Sequence, residues 1–448
     1  MGKIKRLVSQ LKANIFWKSV AVLVSGTALA QLIGIFTTPV ISRLYDPRAF
    51  GEYAILVSTA AIILSIVTLG LNSAVMVPIS DDESDEVLMV AFFTMLFLST
   101  AILMVMLVTS PFIHFFDPGI NYILACILVY GFIVINSLRG LLNIYVNRKR
   151  LNRVLFYNAL IGALATLLIT IPLGVLELGS FGLIIAAIIG GVVSIIQMIC
   201  HNNPFKRLPN LSTFKNVYRR YKDFILYQYP SNFIENFAIQ LPTQTFSITF
   251  GNANLGSYSM NEKILGIPIR LIGTPINTIY FRTASEYYKQ GKNLAEFTFS
   301  LITKIMLVAF LPIVVTVFWG EQIFSWVLGT NWSEAGKLAG FLIVQYVFMF
   351  CANCTSYCRV AIGKQKTNLV VSILRLAIIG TSIFAGIYLF GDLFNTIIFF
   401  TIASTLYLII DMAINFYCMG KYWVRYTVFA VVYFSVIMLL WFWSSTLN

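Results

Sequence analysis

Lys263, Arg270 and Asn277 recur every seven residues inside a long apolar run, and two helical turns bring each back to the same face. A charge at membrane depth costs roughly 2.5 to 3.5 kcal/mol, so it needs a partner or water. Arg270 lies ~18 Å along a helix from Arg282, too far in to snorkel easily. Lys263 is shallower, with Glu262 beside it. Arg139 and Arg375 fall on the order of 10 Å inside the ends of their runs, where snorkelling competes with a binding role. Lys304 stands near the start of its run and reads as a boundary residue. Glu235, Glu262 and Asp411 are the acids within apolar runs, and pairing with neighbouring cations is the competing reading for each. An aqueous cavity with more cation than anion suits an anionic ligand. Phosphate fits best, with Arg as a bidentate partner and Lys as a point charge.

The first half carries an answering pattern. Ser58, Ser65 and Asn72 repeat the seven-residue spacing, and Thr27, Gln31 and Thr38 answer Asn232, Asn236 and Thr243, with Gln240 and Glu235 on the same later run. Pro230, Pro242, Pro268 and Pro275 interrupt the second-half runs and predict kinked helices that flex. The first two helices of each half are thereby expected to face a shared aqueous cavity.

These residues must be positioned by membrane helices. The chain has 448 residues, 58% hydrophobic and only 11% charged, where a soluble domain carries roughly 25% charged residues. Apolar runs long enough to span predict 13 helices, at about 17–40, 50–78, 88–113, 120–146, 153–175, 180–200, 224–247, 254–282, 297–320, 335–360, 368–390, 394–418 and 426–443. The last either spans or lies at the interface. Alternating sides from a cytoplasmic N-terminus puts 23 basic residues in cytoplasmic segments and 3 outside, a strong orientation signal. The loop Asp81 to Glu86 is acidic where basic residues are expected, but acids weigh little in this rule. No cleavable signal sequence is apparent ahead of the first run.

The net charge of +13 sits in short clusters between apolar runs, a pattern of cytoplasmic loops rather than of nucleic-acid binding. The six cysteines all fall within or beside apolar runs, so no disulfide framework is expected. Cys351, Cys354 and Cys358 share a helix face, yet neither histidine is near in sequence, and packing is preferred over a metal site. The external loops are short and hold no acid pair, metal triad or nucleophile arrangement, so no catalytic residue is expected. Tyrosines and tryptophans serve as interface anchors before they serve as sugar platforms.

Two halves match. Gly51 and Tyr53 align with Gly256 and Tyr258 at an offset of 205, as do Asn72 with Asn277 and Thr38 with Thr243. Polar positions that coincide inside apolar runs point to an internal repeat. Six spans per copy is an even number, so the copies insert the same way up. The expected organisation is an all-α polytopic membrane protein with two parallel six-helix repeats around a central cavity. The N-terminal lobe would cover 1–200, a basic cytoplasmic connector 201–223, the C-terminal lobe 224–420, and an extra helix 421–448. The connector holds Lys206, Arg207, Lys215, Arg219, Arg220 and Lys222 against Asp223.

Pro39-Val-Ile-Ser-Arg-Leu-Tyr-Asp-Pro-Arg-Ala-Phe-Gly-Glu-Tyr53 and Gly70-Leu-Asn-Ser-Ala74, with Tyr227-Gln-Tyr-Pro230, Gln240-Leu-Pro242 and Leu255-Gly-Ser-Tyr258, resemble the polysaccharide transporter family. These are the Wzx-type O-antigen flippases of the multidrug, oligosaccharidyl-lipid and polysaccharide exporter (MOP) superfamily. The resemblance implies a flippase for undecaprenyl-pyrophosphate-linked oligosaccharide, working by alternating access in the bacterial inner membrane and coupled to a proton or sodium ion. It implies no cofactor, and as partners the membrane lipids, a polysaccharide polymerase and a chain-length regulator. On that reading Arg270 and Lys263 hold the pyrophosphate and acidic sugars, with Asn277 and Asn72 alongside, and Arg139 and Arg375 receive the head group. Glu235, Glu262 and Asp411 then carry the coupling ion. A multidrug exporter or lipid II flippase of the same superfamily, and a membrane glycan polymerase or ligase, are the alternatives.

Overall fold

The computed structural model describes residues 26, 28–78, 80–109, 122–201, 203–205, 209–222, 225–226, 229–364 and 366–447. The N-terminal lysines, Thr27, Lys206, Arg207, Asp223, Tyr227 and Gln228 lie outside them. Among the described residues every regular element is helical. In chain order these are α1 (Ala28–Leu44), α2 (Pro47–Val67), α3 (Leu71–Ala74), α4 (Asp81–Thr109), α5 (Tyr122–Arg148), α6 (Asn152–Val175), α7 (Gly179–His201) and α8 (Leu211–Arg220). They continue as α9 (Tyr229–Phe250), α10 (Asn252–Leu265), a π-turn (Ile269–Gly273), α11 (Thr274–Lys289), α12 (Leu294–Leu328), a short turn (Thr330–Trp332), α13 (Ser333–Cys354), α14 (Cys358–Ala361), α15 (Lys366–Phe390), α16 (Leu393–Cys418) and α17 (Trp423–Leu447).

Eleven helices among the described residues are long and apolar enough to cross a membrane. Two of the thirteen expected from sequence fall short of that measure. Only Ala28–Leu44 of the first is described, and α9, although 22 residues long, is diluted by Asn232, Glu235, Asn236 and Gln240. The expected span over 254–282 falls within the single run Asn252–Lys289, whose helix is irregular. Its regular winding is interrupted at Gly266 and by a π-turn ahead of α11, because Pro268 and Pro275 each lack the amide needed by the preceding turn. Pro242 sits inside a continuous helix and Pro230 at its start.

Contacts group the chain into two compact units. One takes the described part of Met1–Thr37 with Leu56–Phe233; the other takes Thr38–Ile55 with Ile234–Asn448.

In the first unit α5, α6 and α7 pack on one another, and α4 packs on α5. Leu71, Val75, Val87, Leu88, Leu141 and Tyr145 form a core with Val217 and Tyr221 of the connector. The acidic start of α4 is neutralised within this unit. Asp81 meets Lys149 at 2.7 Å and Arg148 at 3.6 Å, and Glu83 meets Arg220 at 2.6 Å. The acidic loop thus lies beside the basic cluster at 148–153 and the connector. Tyr221 donates to Glu83 at 2.8 Å, and burial, helped by that carboxylate, pushes its hydroxyl up to about 12.

In the second unit α12, α13, α16 and α17 enclose a core of Ile302, Met306, Ile313, Phe348, Met412, Phe416, Tyr426 and Ile437. The C-terminal helix belongs to that core. Tyr433 donates to the Met306 carbonyl at 2.8 Å and Ser444 to that of Val317 at 3.1 Å, and the stretch Trp423–Ser444 is apolar enough to span.

Several contacts hold residues 38–55 in the second unit. Trp332, fully buried, donates its indole N–H to the Ser42 carbonyl at 2.8 Å. Ser42 donates to the Leu328 carbonyl at 2.9 Å. Phe50 meets Trp332 edge to face at 5.2 Å. Finally, Gly51 and Gly256 let two backbones meet: a Cβ on Gly51 would overlap the Asn252 carbonyl, and one on Gly256 that of Pro47. Pro47 and Asn252 are themselves matched positions at the offset of 205, so the contact is reciprocal between the two copies of the motif.

Candidate functional site

The charged residues picked from the sequence fall into three groups. In the second unit, Lys263 sits at the end of α10 and Arg270 on the π-turn. Arg270 donates from Nη2 to the Lys263 carbonyl at 2.6 Å, so the residue seven positions back holds the guanidinium by its backbone. Lys263 places Nζ 5.2 Å from the centre of the Phe50 ring, within reach for a cation–π contact. Glu262, Tyr258 and Tyr346 lie within electrostatic reach of this pair. Arg270 itself is exposed. The seven-residue spacing brings Arg270 back over the Lys263 carbonyl, and the extra residue of the π-turn shifts the register after Arg270, so the stripe does not run straight on to Asn277. Asn277, mostly buried, donates to Ser356 at 2.9 Å, in the turn between α13 and α14.

A second group lies in the same unit. Arg359 and Asp411 form an ion pair at 2.7 Å, with side chains only 8% and 14% exposed. Arg375 and Tyr407 are close enough to feel the pair, and Glu235 is within electrostatic reach of Tyr407. Nε and Nη1 of Arg359 and Nε of Arg375 are buried without a hydrogen-bond acceptor among the described residues. Sequence alone counts Arg359 with the cytoplasmic loop cations; the fold instead turns it inward on the short helix α14. The readable signal is that it follows Cys358 within the apolar stretch Tyr357 to Ile362 and has no charged neighbour before Lys364.

Arg139 belongs to the first unit, on α5, half-buried beside Gly162 and Ser194. Asn158 occupies the adjacent backbone, donating to the Ser194 carbonyl at 2.7 Å and to Gln197 at 3.0 Å. Asn72 stands on α3, separated from Ser58 and Ser65 by the Thr68–Gly70 turn, where Leu69 and Gly70 adopt positive φ. The first-half stripe is therefore broken before it reaches Asn72.

Arg139, Arg270 and Arg375 have no carboxylate within ion-pair distance among the described residues, and Arg359 has one. The side chains in these groups can bind anions and sugar hydroxyls through charge-assisted hydrogen bonds. Cys351, Cys354 and Cys358 are buried free thiols, and no set of three His, Cys, Asp or Glu among the described residues could hold a metal ion.

The fold is that of the MOP-superfamily transporters. One similar structure is an inward-facing multidrug resistance MATE family transporter of that superfamily, 14% identical, covering 89% of this chain and 94% of the other, TM-score 0.64. Another is the lipid II flippase MurJ in an inward closed conformation, 13% identical, covering 95% and 98%, TM-score 0.68. A third, from Pyrococcus furiosus, is a MOP superfamily transporter described as having reversed binding-pocket polarity that suggests a different function; it is 13% identical over 90% and 96%, with TM-score 0.58. No curated protein matches the chain. The family profile described as "Polysaccharide biosynthesis protein" matches residues 40–337, and the chain belongs to that family.

Proposed function

We propose that this multi-pass membrane protein is a flippase that carries undecaprenyl-pyrophosphate-linked oligosaccharide repeat units across the bacterial inner membrane. O-antigen, capsule or exopolysaccharide units all have the required chemistry. Membership of the polysaccharide biosynthesis family supports the substrate class. The observation that supports the mechanism is two cations set against one acid, with the Arg270 guanidinium on the Lys263 backbone carbonyl at 2.6 Å and Glu262 as the nearby carboxylate. A pyrophosphate carries the complementary charge, and a guanidinium binds it through two parallel hydrogen bonds.

On this reading the conformational cycle is alternating access, and a proton or sodium ion drives it. Arg139 and Arg375 receive the head group; Arg270, Lys263, Asn277 and Asn72 hold it during transfer. Glu235, Glu262 and Asp411 are the acids available to the coupling ion. Asp411 differs from the other two because it is already paired with Arg359, so ion binding there would compete with a guanidinium. A polysaccharide polymerase and a chain-length regulator are the partners that would use the exported units.

The Arg270→Ala variant is expected to lose at least 10-fold of surface glycan while its level in the membrane is unchanged, in line with roughly 2–5 kcal/mol for a charged contact left unpaired. Arg270→Lys should retain part of the activity, since it keeps the point charge and loses the bidentate geometry. Unchanged surface polysaccharide in Arg270→Ala would count against the site. A lipid II flippase would instead be required for growth, and a multidrug exporter would change drug susceptibility when deleted.

A further inference from the structure

The first unit carries an apolar groove of about 490 Å3 lined by Leu69, Phe93, Thr94, Phe97, Leu98, Phe214 and Tyr218. One wall is the span α4 and the other is the short helix α8 of the basic connector. Its only polar feature at that wall is internally satisfied, Thr94 and Tyr218 sharing a hydrogen bond of 2.6 Å. The apolar part of α4 begins at Val87, which puts Phe93 to Leu98 roughly 9 to 17 Å along the helix from that point. This is the depth of acyl chains rather than of head groups. Phe97 is 73% exposed in the groove.

The helix that closes the groove is divided around its circumference. Val217, with Tyr221 just past the helix end, is buried in the core of the unit, and Phe214 and Tyr218 face the groove. The next positions round the helix, following the i, i+3 and i+4 spacing, are Leu211, Lys215, Arg219 and Lys222. All four are exposed, Leu211 to 89%. Neither Lys215 nor Arg219 has a carboxylate partner among the described residues, whereas Arg220 on the opposite side is taken by Glu83. Apolar side chains pointing into a groove, followed directly by unpaired cations, form the arrangement of an interfacial helix over anionic lipid.

We infer that this groove is a binding site for an anionic membrane phospholipid, with one acyl chain between α4 and α8 and the phosphate against Lys215 and Arg219. The charge complementarity selects an anionic over a zwitterionic lipid, and the site is independent of the residues proposed to hold the transported glycan. Its occupancy would set how firmly the connector helix is held against the first unit.

The test uses the purified full-length protein and native mass spectrometry with phosphatidylglycerol and phosphatidylcholine in competition. The wild type should retain phosphatidylglycerol in preference, and Lys215→Gln with Arg219→Gln should remove the preference, by roughly fivefold for each charge. Both residues are exposed, so this variant keeps the fold. Leu98→Trp, which fills the groove, should lower retention of both lipids alike, with its melting temperature followed to show that it is folded. Equal retention of the two lipids by the wild type, or variants that retain as the wild type does, would overturn the assignment. Retention of undecaprenyl phosphate in preference to phosphatidylglycerol when the two compete would overturn it too, by giving the groove to the carrier lipid.

Discussion

Arg359 and Arg270 are both guanidinium groups in apolar sequence, and the structure treats them differently. Arg359 is buried against Asp411 at 2.7 Å, while Arg270 is exposed, donates to a backbone carbonyl and has no ion-pair partner among the described residues. A buried pair contributes little net stability compared with an apolar replacement, yet removing one member leaves the other charge without compensation. Arg359→Ala should therefore cost about 3 to 5 kcal/mol, seen as a large fall in melting temperature in detergent. The combined Arg359→Met and Asp411→Leu variant should be far less damaged. If the single and the combined variants melt alike, the pair is not structural. Arg270→Ala should by contrast leave melting unchanged, because its guanidinium is exposed and satisfies no buried acid. By sequence Arg270 falls deep in an apolar run and Arg359 among the cytoplasmic loop cations; the inward turn of α14 reverses that expectation for Arg359, which is the buried one of the two.

The matched glycines act on whole helices. Gly51 and Gly256 touch the backbone at Asn252 and Pro47, so an added methyl must displace a carbonyl rather than a side chain. Overpacking of this kind costs typically 1–3 kcal/mol. Gly51→Ala and Gly256→Ala should each lower the melting temperature by a similar amount, and the reciprocity of the contact predicts that the double variant costs less than the sum. Strict additivity would mean that the two positions do not share one contact. At the start of α16, Asp392 caps the helix by accepting from the Asn395 amide at 2.9 Å, and that amide holds its carboxyl below the ordinary range. A lowered folded value means that its contribution is present above the unfolded value, roughly 3.9, and is lost as pH falls through the folded one. Asp392→Ala should cost about 1 kcal/mol at neutral pH and progressively less in acid, where the wild type loses the same cap. A difference between wild type and variant that stays constant with pH would exclude the carboxylate as the cap.

For the whole molecule the sharpest expectation is sidedness. Lys215→Cys should react with a membrane-impermeant maleimide only after the inner face is opened, and Lys337→Cys in intact cells; the reverse pattern would overturn the orientation drawn from 23 basic residues against 3. The acidic loop that seemed to break that rule lies beside Arg148, Lys149 and Arg220, so its charge is balanced on the side it occupies.

The membrane class, the succession of helices, the orientation signal and the internal match at Gly51 and Gly256 were all legible in the sequence. Each depends on hydropathy, charge or spacing along the chain, which are local properties. Three things required the folded chain. The π-turn at Ile269–Gly273 takes Asn277 off the face shared by Lys263 and Arg270, because one extra residue in a turn shifts everything after it. Arg359 finds Asp411 some fifty positions away only when α14 packs on α16. Residues 38–55 join the second unit because Trp332, Ser42 and the glycine contact bring together backbone groups whose separation in sequence gives no sign that they will meet.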